Sequence, residues 1–260
     1  MLDQLELQSG FARRWLLDSP MMTSGEDINA SYVVLHHFTD FVNRVEPLFV
    51  NTLNHKLCGL KDIRTTIKNL YNHAVLDDIE LFEVKHLAIL ATDVARLLHE
   101  QGMDGVVEIP ALDEVISILD PDGMKIATFY IYDSYCTQLK ELRAHMRQHP
   151  EQQDNLLLMA SELEDGVRKD LSQQLHPFAT AIEEAQLALA RIDVNLAKAM
   201  QIKHMGLSFP MLSSDGTTSY EALFHPQVKE ALAQRGREFQ PVDIAFGQQP
   251  TLITGAIYML

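Results

Sequence analysis

Cysteine is scarce, with Cys58 and Cys136 the only two in 260 residues. That excludes a disulfide framework and a cysteine-rich zinc site. No apolar run approaches the roughly 20 residues a membrane-spanning helix needs. The opening MLDQLELQSG lacks the basic start and apolar stretch of a secretory signal. Glycine (12) and proline (10) are too few for a collagen-like or mainly disordered chain. Positive charge is also short: 21 Lys and Arg stand against 36 Asp and Glu, a net charge of −15. Duplex DNA is bound largely through its phosphates, and this chain has no broad basic face to neutralise them. Between Tyr71 and Lys125 twelve acidic residues face three basic ones. A surface of that sign repels nucleic acid and anionic lipid and suits a solvated face or a basic protein partner. The expectation is a soluble, reduced, cytoplasmic protein with no membrane partner.

What is present is helical periodicity. From Ile28 to Leu53 the apolar positions Val34, Leu35, Phe38, Phe41, Val42, Val45, Leu48 and Phe49 recur in threes and fours. A short amphipathic piece follows over 60–70, and a longer helix over 77–100, stopped by Gly102 and Gly105. Pro110 near its first turn and Pro121-Asp122-Gly123 at its end bracket another short helix. The pattern then predicts a helix from Lys125 to Gln148, ending at Pro150, and a second from Glu151 to Met205 that Pro177 should kink or break. At 1.5 Å per residue the latter reaches up to about 75 Å, which makes an arm. Beyond Gly206 the character changes to Pro, Gly and Ser, then to the extended pieces 220–225, 241–246 and 251–260. The predicted fold is mainly α: an elongated helical core with a long antiparallel helical arm over 1–205, plus a short β-rich segment over 206–260.

The order of these pieces resembles the MutS family of mismatch-repair ATPases from its core domain onward. GFARR (10–14), Leu16-Leu17 and DINASYVVLHHFTDF are similar to the entry to that core. LCGLKDIRTTIKNL (57–70) resembles the family's L-x-x-L-x-D-I-x-R-x-L segment, and ARIDVNLAKAMQI (190–202) the helix returning from the lever. YEALFHPQV (220–228) is similar to the R-H-P strand that opens the ATPase domain. FQPVDIAFGQQPTLITGA (239–256) resembles the strands leading into its phosphate loop. The resemblance implies a dimeric, ATP- and magnesium-dependent DNA-binding protein whose lever couples nucleotide state to what its tip grips.

Three departures qualify that implication. The mismatch-reading and connector domains have no counterpart. The turn near His149-Pro150 leaves no room for a clamp domain. No G-K-S or G-K-T occurs, so the phosphate loop is missing, although Gly255 stands where its first glycine would be. The chain therefore reads as a core-and-lever fragment that is not itself catalytic, as a truncation, a frameshift or a premature stop would leave it. His225, Thr254 and Gly255 would be the remnant of the ATPase edge; ATP and magnesium belong to the full-length protein, and no cofactor is expected here. Lys140, Arg143 and Arg147, on one helix near the arm tip, are the candidate DNA contacts.

Other chemistry is thin. His145 and His149 have zinc-compatible spacing but no Glu in the H-E-x-x-H manner, and suit a helix end before Pro150. His36, His37, His55 and His73 are scattered, so no metal site is expected. Cys136 reads as a small core residue, and Tyr130, Tyr132 and Tyr135 as packing. Two other functional classes stay open. Some MutS-like ATPases without the mismatch domain accompany metabolic enzymes, including cobalamin-dependent aminomutases, as reactivation partners. An inert helical interaction module is the third reading.

Overall fold

The computed structural model describes residues 5–124, 128–148, 153–213, 216–247 and 249–252. The chain divides into two units, Met1–Lys203 and His204–Leu260. It is mainly helical, with one small antiparallel sheet near its C-terminus.

Several helices of the first unit have a local reason to begin. Ser9 starts α1 (Gly10–Asp18), its hydroxyl accepting from the Ala12 N–H. Ser24 starts α2 (Gly25–Arg44) by accepting from Glu26 and Asp27. Asp77 and Glu80 form a reciprocal capping box at the head of α5 (Asp78–Glu100). The periodicity over 28–53 predicts one helix, yet the chain makes two, because Pro47 cannot continue α2 and instead sets the first turn of α3 (Pro47–Leu57). Next come α4 (Arg64–Tyr71) and the short α6 (Asp113–Leu119).

A second difference lies over 125–148. The helix α7 covers only Thr137–Gln148, and the described residues 128–136 are not helical. Neighbouring Ile131 and Tyr132 are both buried, which an extended backbone allows by turning them to different partners. Tertiary demand here overrides a helical pattern, because Tyr132 is drawn to a buried lysine. The next helix breaks as Pro177 predicts: α8 (Gln153–Leu175), one 3-10 turn at His176–Phe178, then α9 (Ala179–Met205). Packing of α8 on both α7 and α6 completes this layer.

The core sits around α5 and α9. α9 buries Ile182, Gln186, Ala188, Ala190, Ile192, Val194 and Leu196, positions spread over well more than half of its circumference, so it runs through the centre of the unit. Phe38, Phe41 and Phe49 meet edge to face at 6.4 and 5.9 Å between centroids.

The second unit is small. Strand β1 (Thr218–Leu223) pairs antiparallel with β2 (Val242–Phe246), with Tyr220 opposite Ile244 and Leu223 opposite Val242. A bulge between those pairs places Ala222 at a φ of 50°, its N–H donating to the Asp243 carboxylate at 2.7 Å. The helix α10 (Pro226–Gln234) lies between the strands in sequence. None of this unit's described residues is buried. The predicted piece 251–260 falls mostly outside the described residues; Thr251 and Leu252 are not in a strand.

Candidate functional site

The three cations expected to meet DNA share α7 but differ in freedom. Lys140 and Arg147 are exposed, and Arg147 donates through Nε to the Arg143 carbonyl at 3.2 Å. Arg143 is largely committed inside the fold. Its guanidinium donates to the Ile131 carbonyl at 2.8 Å, to Asp133 at 2.7 Å and to Glu164 at 2.8 Å. Burial works against its charge, but the two carboxylates hold its pKa above the usual value.

Glu164 is also the next rung of a longer ladder. Arg168, one turn further along α8, lies 3.8 Å from Glu164, 2.7 Å from Asp165 and 2.8 Å from Asp78 at the head of α5. Alternating charges thus run from Asp133 through Arg143, Glu164 and Arg168 to Asp78. They tie the 131–133 segment, α7, α8 and α5 into one frame. Spacing within a helix shows the 164–168 contact; the partners Asp78 and Asp133 come from folding and leave no local mark.

His225 stands between β1 and α10. It is exposed, and its Nδ1 accepts the Val228 N–H at 3.4 Å, capping the helix that Pro226 begins. Lys229 lies 4.3 Å above the Phe224 ring. Thr254 and Gly255 lie outside the described residues, as does His149, the spacing partner of His145.

A cleft of about 680 Å³ opens where the end of α5 and the 103–110 loop face α9. Leu98, Met103, Ile109 and Leu187 give it an apolar floor, and Glu108, Glu184 and Arg191 stand on its rim. His99 on the same rim bonds Asp104 at 2.7 Å; that bond, with the carboxylate's charge, raises the His99 pKa. The size suits a small molecule. The rim mixes both signs and selects no ligand class.

Two polar knots brace the core. Asp193 on α9 accepts from the Gln8 N–H at 3.0 Å and from the Ser9 N–H and hydroxyl, each at 2.9 Å. Burial pushes its pKa up, against the pull of those three donors. Lys85 is wholly enclosed; its ammonium donates to Asp120 at 3.0 Å and to the Tyr132 hydroxyl at 2.9 Å. Among the described residues no group of three or more His, Cys, Asp or Glu could hold a metal ion, and no helix is long and apolar enough to cross a membrane. No family model and no curated protein sequence matches the chain.

Proposed function

We propose that the chain is the core-and-lever portion of a MutS-like, ATP-dependent DNA-binding protein. The observation that carries this reading is the charge ladder from Asp133 to Asp78. It links α7 and α8 to α5, and a lever needs such a link to convert a change at its base into movement at its end. The segment that resembles the family's returning helix, 190–202, is the part of α9 that Asp193 fastens to the start of α1. The strand, His-Pro helix and strand of the second unit follow the order of the family's ATPase entry. ATP and magnesium would be held with residues other than those of a phosphate loop in these 260, since none is present.

Fluorescence anisotropy with a labelled branched or mismatched duplex at low salt tests it. Binding that falls steeply with salt, and weakens in Lys140→Ala and Arg147→Ala, is the expected result. No anisotropy gain at low salt sinks the DNA-binding reading.

A second reading is an accessory partner of a metabolic enzyme. Specific features favour it: Arg143 is taken by carboxylates, the net charge is −15, and Leu157, Leu158 and Met159 are more than half exposed on α8. It predicts a stable complex with one metabolic enzyme, disrupted by Leu158→Glu, and no salt-dependent DNA binding.

A further inference from the structure

Two histidines 103 positions apart in sequence meet at the break between α8 and α9. The Nδ1 atoms of His73 and His176 are 3.0 Å apart, and their rings are perpendicular with centroids at 4.6 Å. We infer that this pair is a binding site for a divalent transition-metal ion of the zinc or copper class, held through both Nδ1 atoms.

The 3.0 Å contact is a hydrogen bond between the rings, and it brings the two nitrogens within reach of one ion. With metal–nitrogen bonds of about 2.0–2.1 Å, a separation of 3.0 Å subtends roughly 95° at the metal, and opening it to about 3.3 Å gives the tetrahedral angle. Imidazole is the nitrogen ligand that zinc and copper share. The far side of His176 has the arrangement that metal-bound histidines use. Its Nε2 faces the Ala74 carbonyl at 3.5 Å, which favours the proton on Nε2 and a lone pair on Nδ1. On binding, the proton shared between the two Nδ1 atoms moves to Nε2 of His73, both lone pairs turn to the metal, and no net proton is lost from the neutral pair. Water completes the coordination.

The backbone at His73 supplies an independent observation. Helix α4 ends in a Schellman turn: the His73 N–H bonds the Leu70 carbonyl and the Ala74 N–H bonds the Asn69 carbonyl, both at 3.0 Å. The residue at the pivot of such a turn is usually glycine, because it needs a left-handed backbone. Here it is His73, at a φ of 54°. A left-handed backbone that favours glycine, occupied here by a histidine, points to a use for that side chain. The frame around the pair is preorganised. The Leu76 N–H donates to the Ser172 hydroxyl at 2.8 Å, and the Tyr71 hydroxyl donates to Glu183 at 2.8 Å. These bonds fix the loop that carries His73 against both helices that flank His176.

Zinc titration of the tag-free full chain, followed through the Cε1–H signals of its histidines by NMR, tests the site. One equivalent should shift the His73 and His176 signals ahead of the other nine histidines, and raise the melting temperature. His73→Gly removes a ligand while relaxing the turn, so it folds at least as well as the parent; it should weaken binding at this site by at least roughly tenfold. His176→Asn should do the same. No shift of these two rings at millimolar zinc, or unchanged affinity at this site in His73→Gly, overturns the inference.

Discussion

Lys85 shows how a charge survives in the core. Its side chain is enclosed, yet Asp120 and the Tyr132 hydroxyl satisfy it, and no buried side-chain nitrogen or oxygen among the described residues lacks a partner. Removing the cation strips Asp120 of its counter-charge in a fully buried site. Lys85→Met is therefore expected to destabilise by about 3–5 kcal/mol in urea unfolding, and adding Asp120→Leu should recover most of the loss. His99 behaves differently because it is at the surface. The Asp104 bond raises its pKa above 6.5. Its contribution to stability is thus complete below the unfolded value and is lost as pH rises through the elevated folded value. NMR titration should place the ring above its ordinary midpoint, and Asp104→Asn should bring it back. Nothing local in the sequence marks Lys85, since its partner Asp120 is 35 residues away.

At the scale of the element, the capping box on α5 offers a clean test. The Asp77 carboxylate accepts from the Ile79 and Glu80 N–H groups, and the Asp77 N–H donates to the Glu80 carboxylate. Asp77→Ala should cost about 1 kcal/mol, read as a lower urea midpoint. Elements of this kind are legible because their signals are local. The helix over 77–100, the helical run over 151–205 with its break at Pro177, and the strands read at 220–225 and 241–246, which form at Thr218–Leu223 and Val242–Phe246, all follow from periodicity and turn residues. Pro47 was equally local and decides a boundary the apolar pattern runs across. The 128–136 segment was not legible, because Tyr132 answers to a buried lysine contributed by another helix. The same limit applies to the candidate site. Lys140, Arg143 and Arg147 share a face by spacing alone, but the carboxylates that engage Arg143 come from 133 and 164.

At the scale of the molecule, burial is concentrated in one unit. The buried apolar residues run from Phe11 to Ala199, and none of the described residues beyond Lys203 joins them. A chain ending after Met205 keeps that whole core and should melt at the same temperature as the 260-residue protein. Limited proteolysis should cut first at 206–213, where Gly206 and Pro210 interrupt regular structure. The opposite outcome, a lower melting temperature on truncation, would mean the second unit contributes to the core's stability.

The clasp between Asp193 and the head of α1 also bears on how the protein comes apart. It joins positions 184 and 185 residues apart, so the chain must close nearly all of the first unit before the clasp can form. Contacts of such separation belong late on the folding route, after the local helices and their neighbours. Losing one leaves the rate-limiting assembly alone and lets the native state open sooner. Asp193→Ala should accordingly steepen the loss of the protein with time in denaturant, through a faster unfolding rate, while refolding proceeds at the parent's pace.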